Sequence, residues 1–387
     1  MTALPHDDLG REWAARRGTR RLLHVDTAAC GRTSAAVRAR IGEHLAAESD
    51  NGGYIAQGDA QEELDRLQTN LANLLGFAAA DVAFLESAST SLAQLLACWP
   101  FETGAVVWAL PSEWGPNLAA FADRGLAVEF LTVDDAGVLD VDALATRLRT
   151  RRPAIVHLTS AASHRALVQP VGAVAEICAA AEVPLVVDNA QAIGQIEIEP
   201  GAAATYGTSR KWLCGPRGVG YLAVREPWQS RLRPVAPALS VATWPAGGPR
   251  PLPRLNSRET FLAGRLGLGV AIAEHLELGP ARIRERLHAI AVTLRTALAE
   301  APGWRLVDAI DAPGGLVTLA PRSAEADVAQ VRDELLRGGL LCTASQPHRA
   351  PREMTGWYLR LSPHLETTEA DIQQVTELVS LRGVPRI

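Results

Sequence analysis

From about Glu63 to Arg225, short apolar runs alternate with amphipathic stretches. Leu64, Leu67, Leu71, Leu74 and Leu75 recur at helical spacing and predict a helix with one apolar face. The runs Val82–Leu85, Ala105–Leu110, Val128–Val133, Ala154–Leu158, Pro184–Val187 and Val219–Val224 are rich in Val, Leu and Ala without polar alternation. That pattern predicts strands covered on both faces. Helical patterns lie between them, at Asp140–Arg149, with Asp140 placed as a cap, and at Val174–Ala181. Strands alternating with helices imply a largely parallel sheet with helices on both sides.

The alternation stops at Arg233–Arg250, a stretch uncharged within that carries Pro234, Pro237, Pro245 and Pro249 and reads as a loop. A helical pattern follows from about Glu259 to Glu300 and breaks near Gly279-Pro280. Then come a helix near Asp327–Leu336, a strand near Trp357–Leu361, and a last helix capped near Thr368 with Asp371 three residues on. The expected fold class is α/β. A large, mostly parallel-sheet part spans 25–262, and a smaller α+β part is built from 1–24 and 263–387.

A chain of 387 residues, 48% hydrophobic, can bury a sizeable core. Its net charge of −5 favours neither nucleic acid nor an anionic membrane as partner. Met1 to Arg21 has no apolar core of a signal peptide, and no stretch approaches the roughly 18–20 apolar residues of a spanning helix. Five widely spaced cysteines without a CxxC pair argue against a disulfide framework and for a reducing cytoplasm. Nine histidines without HExxH or HxH spacing give no metal site. Gly264, Gly267 and Gly269 miss the GxGxxG spacing and lie in a helical pattern, which sets a dinucleotide fold aside.

One compositional fact is sharper. Of the 38 basic residues 37 are arginine, and Lys211 is the only lysine. Arginine serves surface charge and ion pairing but cannot act as an amine nucleophile near neutral pH. Imine chemistry needs such an amine, together with a phosphate anchor, an acid for a pyridine nitrogen and a ring-stacking group. Phe84-Leu-Glu-Ser-Ala-Ser-Thr-Ser-Leu92 runs from a strand pattern into a helix, so the amides at Ala88 and Ser89 and the Ser89 hydroxyl suit a phosphate. Ser/Thr runs of this kind also serve simply as caps. Asp188 ends an apolar run, where it either pairs with a pyridinium nitrogen or is only solvated. Gln191 follows three residues on and is a candidate for the ring's 3′-oxygen. In Thr208-Ser-Arg-Lys-Trp-Leu-Cys-Gly-Pro-Arg-Gly-Val-Gly220, Thr208 and Arg210 are candidates for the phosphate and Lys211 for the aldehyde.

In order and spacing these segments resemble the class V aminotransferase family, which includes cysteine desulfurases, isopenicillin-epimerase-like proteins and kynureninases. The family's D-x-A-Q matches Asp188-Asn-Ala-Gln191, and its S-x-H-K followed by G-P-x-G-x-G matches Thr208–Lys211 and Gly215–Gly220. Its R-x-S-P-H-x-x-x-T-x-x-D matches Arg360 to Asp371, and its opening L-D-N-A-A-x-G resembles the segment holding Ala28. The resemblance implies a fold-type-I transferase with pyridoxal 5′-phosphate on Lys211, and a homodimer with active sites at the subunit interface. It also implies Trp114, in Ser112-Glu-Trp-Gly-Pro-Asn117, over the ring, and Arg360 on the α-carboxylate of an amino-acid substrate. Arg210 replaces the family's histidine. Arg258 stands in the segment of the partner-subunit phosphate loop. Ser163, beside His164 and Arg165, replaces an asparagine near the substrate.

The loop that carries the desulfurase nucleophile reads Cys342-Thr-Ala-Ser-Gln-Pro347, which puts Ala344 at the cysteine position. Within the family, the Gly52-Gly-Tyr54 loop, Trp114, Arg210-Lys211 and the missing thiol are most similar to the carbon–sulfur lyases of ergothioneine synthesis. That implies β-elimination on a cysteine S-conjugate sulfoxide, hercynylcysteine sulfoxide, giving ergothioneine, pyruvate and ammonia. Ala28, Tyr54, Ser163, Arg165 and Arg360 are then expected near the substrate. Of the nine tryptophans, Trp244 or Trp357 is a candidate for its trimethylammonium group by cation–π contact. A desulfurase or selenocysteine lyase, an aminotransferase or epimerase, and a non-catalytic cofactor-binding regulator are the alternatives.

Overall fold

A computed structural model describes residues 4–233, 255 and 260–382. Strand β1 (Leu23–His24) precedes the seven strands of the main sheet. These are β2 (Val82–Leu85), β3 (Val106–Ala109), β4 (Ala127–Phe130), β5 (Ile155–Thr159), β6 (Leu185–Asp188), β7 (Ala204–Thr208) and β8 (Gly220–Val224). Their spatial order is β2-β8-β7-β6-β5-β3-β4. From β4 to β7 every pairing is parallel, and β8 runs antiparallel to both β7 and β2. The apolar runs become strands for the expected reason: β2, β5, β6 and β8 are buried along their whole length. The exception is β4, whose edge position leaves it partly exposed, so it is not covered on both faces.

Strand β7 has no counterpart among the apolar runs of the sequence. Its residues Ala204-Thr-Tyr-Gly-Thr208 mix small and polar side chains, yet all five are buried at the centre of the sheet. Tertiary pairing satisfies them. The Thr205 hydroxyl donates to the Val187 carbonyl at 3.0 Å and accepts from the Asn189 amide at 2.7 Å.

The remaining strands are β9 (Trp304–Leu306), β10 (Val317–Pro321), β11 (Leu340–Leu341), β12 (Thr343–Ser345) and β13 (Tyr358–Leu361). β12-β13-β10-β9 form an antiparallel sheet, and β1 pairs in parallel with β11. Leu4, Leu23 and Val25 join Leu319, Leu361 and Val375 in one apolar cluster, so the chain's beginning packs against its end. The helical pattern after residue 259 resolves into Leu262–Leu278 and Pro280–Leu298, separated by Gly279 at φ +88°. Caps read from sequence are formed. Asp140 accepts from the Ala143 amide at 2.9 Å, Asp371 accepts from the Thr368 amide at 2.8 Å, and Thr368 accepts from the Asp371 amide at 3.2 Å.

Candidate active site

The carboxyl ends of β5, β6 and β7 face a cavity of about 100 Å³, the position where open α/β sheets bind ligands. Chain elements far apart in sequence meet there. The helix Ala88–Cys98 points its N-terminus into it, with Ser87 capping the Thr90 amide at 3.0 Å. The first-turn amides of Ala88 and Ser89 have no intrahelical partner by construction, and both residues line the cavity. A side chain at Gly220 would meet the Ser87 backbone at 2.5 Å, so glycine lets β8 press against this turn. Thr208 and Arg210 line the same cavity. Arg210 is half-buried, donates to the Ala29 carbonyl, and is held below its usual pKa by burial.

Asp188 is buried at the end of β6 and lines the cavity. One carboxylate oxygen accepts from the Ala190 amide at 2.8 Å and the other from Asn117 Nδ2 at 3.0 Å. Lys211 lines the cavity with it. Burial pulls the Lys211 amine down to about 7; Asp188 opposes that shift, while Arg210, Arg360 and Arg349 add to it. An amine so placed is substantially unprotonated near neutral pH, as an aldehyde-capturing lysine requires. Trp114, at the start of the helix Gly115–Asp123, is a further lining residue.

Gln191 lines the cavity with a fixed orientation. Its Oε1 accepts from Trp212 Nε1, a group that can only donate, at 2.9 Å, so its Nε2 is left facing the Ala28 carbonyl at 3.1 Å. Ser163 is a lining residue whose carbonyl accepts from Arg360 Nη1 at 2.6 Å. Arg360 is fully buried behind it, 3.6 Å from Asp26, with its Nε unpartnered among the described residues. Burial, then Arg349, pushes its pKa down to about 10.

Of the five expected substrate residues only Ser163 lines the cavity; Ala28 and Arg360 sit one residue behind its wall, bonded to Gln191 and Ser163, and Tyr54 and Arg165 lie elsewhere. Tyr54 is 71% exposed on the short helix Gly53–Asp59 and does not line the cavity. The Arg165 guanidinium is consumed by Glu353 and by Asp308 at 3.2 Å, which tie its loop to the smaller sheet side. Trp357 is half-buried against the apolar cluster of that side. Arg258, Trp244 and the loop 234–250 lie outside the described residues.

Arg349, His157 and Tyr206 are among the residues the sequence reading does not single out, as are Asn117 and Thr159 on the cavity wall. Arg349 sits with its guanidinium carbon 5.4 Å from the Trp114 ring centroid, in a turn pressed against Gly115, where a side chain would meet the His348 carbonyl at 1.9 Å. Nothing in the local sequence marks it. His157 and Tyr206 lie buried beneath Asp188. His157 did carry a signal: an ionisable residue inside the run Ile155-Val-His-Leu158 needs a buried partner.

Cys342 is 2% exposed within the apolar cluster, and burial pushes its thiol up to about 12. Replacing it with serine is expected to leave the chemical step within about twofold of wild type, since a thiol so protonated is a poor nucleophile. Steady-state kcat measurements check this; a loss of several orders of magnitude would restore a thiol mechanism.

The donor set fits a phosphate-bearing pyridine aldehyde: orphan helix amides and an arginine for the anion, a carboxylate for a ring nitrogen, and a near-neutral amine. Comparison with known proteins agrees. The model of the family "Aminotransferase class-V" matches residues 23–375. A "probable hercynylcysteine sulfoxide lyase" of Mycobacterium tuberculosis is 40% identical over 96% of this chain and 93% of its own. Among solved structures, a cysteine desulfurase of Thermococcus onnurineus superposes with a TM-score of 0.84 at 18% identity, covering 98% of each chain. The cystine C–S lyase C-DES, solved with its product cysteine persulfide, gives 0.82 at 16% identity over 93% of this chain and 97% of its own. These two share the fold.

Proposed function

The chain belongs to the class V aminotransferase family of pyridoxal-phosphate enzymes, and on that premise we propose that it is a carbon–sulfur lyase acting on hercynylcysteine sulfoxide. The observation that carries this reading is the near-full-length similarity to the mycobacterial lyase. The loop where desulfurases hold their cysteine has Ala344 instead, which is consistent with it.

Bound pyridoxal phosphate supplies an aldehyde for amine capture and a protonated ring that stabilises negative charge at the substrate Cα. The chain's own residues do the rest. Ala88, Ser89, Thr208 and Arg210 would hold the phosphate, Trp114 would cover the ring, Gln191 would donate toward the 3′-oxygen, and Asp188 would keep a proton on the ring nitrogen. Arg360, packed directly behind Ser163, would orient the α-carboxylate. Lys211 removes the Cα proton as general base. The Cβ–S bond then breaks with its electron pair on sulfur, and a sulfenate is a better leaving group than a thiolate of the same skeleton because it is the weaker base. Water releases the three-carbon fragment as pyruvate and ammonia, and two equivalents of an external thiol reduce the sulfenate to ergothioneine, leaving as their disulfide and water.

We assign the cofactor to residues 25–262, with 1–24 and 263–387 as the smaller part, in a cytoplasmic homodimer. Among the described residues no helix is long and apolar enough to cross a membrane.

Incubating the purified protein with hercynylcysteine sulfoxide should release pyruvate and ammonia in equal amounts, with or without added thiol. No pyruvate from this substrate, together with alanine and persulfide from cysteine, would replace this reading with a desulfurase.

A further inference from the structure

Beneath Asp188 lies a buried polar network that the mechanism above does not use. Glu113, His157 and Tyr206 are fully buried, and Asn117 nearly so. Glu113 Oε1 accepts from the Trp114 amide at 2.8 Å, from Asn117 Nδ2 at 2.9 Å and from the Thr159 hydroxyl at 2.5 Å. Its Oε2 lies 2.8 Å from His157 Nδ1, and His157 Nε2 lies 2.9 Å from the Tyr206 hydroxyl. Burial pushes the Glu113 carboxyl up, but His157, Thr159 and Asn117 outweigh it and hold the group below its ordinary range. An ionised Glu113 can only accept, so His157 Nδ1 carries the proton between them.

Strand register explains the convergence. Thr159 pairs with Asp188 across β5 and β6, and Asp188 pairs with Tyr206 across β6 and β7, so the three form one row. His157 is two residues before Thr159 and points to the same face. Asn117 Nδ2 bridges the two carboxylates, giving one hydrogen to Glu113 and one to Asp188. The Glu113 carboxylate therefore touches the backbone of the ring-covering Trp114 and, through one amide, the acid meant for the ring nitrogen.

We propose that Glu113 and His157 are positioning residues that lock Trp114 and, through Asn117 and Tyr206, hold Asp188 in place as the partner of the cofactor's ring nitrogen. A buried carboxylate with four donors cannot turn without stranding them, so Asn117 is fixed and Asp188 is fixed with it. Tyr206, kept protonated by burial and by Asp188 and Glu113, stands on the other side of Asp188. The remaining titratable groups facing Asp188 are Lys211 and Tyr221 of β8. This inference rests on the cofactor assignment of the preceding section.

The test uses holoenzyme loaded with pyridoxal phosphate labelled with ¹⁵N in the ring. Glu113→Gln turns one acceptor into a donor against donors. His157→Phe keeps the ring volume without either bond, and His157→Gln restores a donor and an acceptor. In Glu113→Gln and His157→Phe, the ring ¹⁵N resonance should move toward the unprotonated position. The alkaline limb of kcat should fall to lower pH by about one unit, since a less firmly held Asp188 releases the ring proton sooner. KM should change less than kcat, and His157→Gln should recover most of the shift. If Glu113→Gln fails to fold, the two His157 variants decide. Folded, cofactor-loaded variants with a wild-type ¹⁵N position and pH profile would overturn the inference. Wild-type protein that binds no cofactor would instead overturn the functional reading.

Discussion

Lys211→Ala is expected to abolish covalent cofactor attachment and to lower kcat for pyruvate release by about 10⁴-fold, the upper end for loss of a general base. The effect is large because one group both captures the aldehyde and removes the Cα proton. No second lysine exists to substitute for it. Borohydride treatment of the wild-type holoenzyme should place the reduced adduct in the single peptide containing Lys211. Cofactor still trapped stoichiometrically on a side chain of the variant would defeat the assignment. The pH dependence is a second check. With its pKa brought to about 7, the amine is unprotonated above neutrality. Cofactor capture by cofactor-free protein should accelerate as pH rises toward 7 and then level off. A rate that keeps climbing beyond pH 9 would mean a lysine in its ordinary range. The sign follows from burial, which disfavours the charged form of a base and so lowers its pKa.

Asp188→Ala is expected to lower kcat by about 10²–10³-fold, the range for removing one preorganised electrostatic contact in a buried site. Phosphate-anchored cofactor should still bind, because the helix terminus at Ala88 and Ser89 and the Arg210 side chain are untouched. The variant also strands two donors, the Ala190 amide and Asn117 Nδ2. Each unsatisfied buried donor costs about 1–3 kcal/mol, so thermal stability should fall as well. Activity and cofactor content measured on the same folded sample separate the two effects. Near-normal turnover would mean that another acid holds the ring proton.

The segments that could be read in advance are those whose physics is local. Asp140 caps its helix through an amide three residues away, and Thr368 and Asp371 close a box of the same length. The apolar runs of β2, β5, β6 and β8 need no distant information to become buried strands. Strand β7 was missed because its stability comes from neighbours on both sides and not from its own composition. Among the candidate site residues, those carried by the lysine, aspartate and helix-start segments converge on one cavity. Tyr54 does not, because its short helix leaves it exposed, and Arg165 does not, because its final contacts are set by partners no local pattern contains. For Arg165 these are Glu353 and Asp308, 188 and 143 residues away.

By itself the sequence determined the family, the alternation that builds the sheet, and the lysine on which the chemistry turns. Motif spacing and a single amine in the chain are properties of order along one dimension. Only the tertiary structure decided which polar residues surround that amine and with what effect. Cross-strand register brings Thr159, Asp188 and Tyr206 into one row, with His157 two residues along on the same face, and Glu113 lies out of water beneath them, held ionised by its donors. Burial, which no residue carries on its own, takes Lys211 down to about 7 and Cys342 up to about 12, so that the first is ready to react and the second is not.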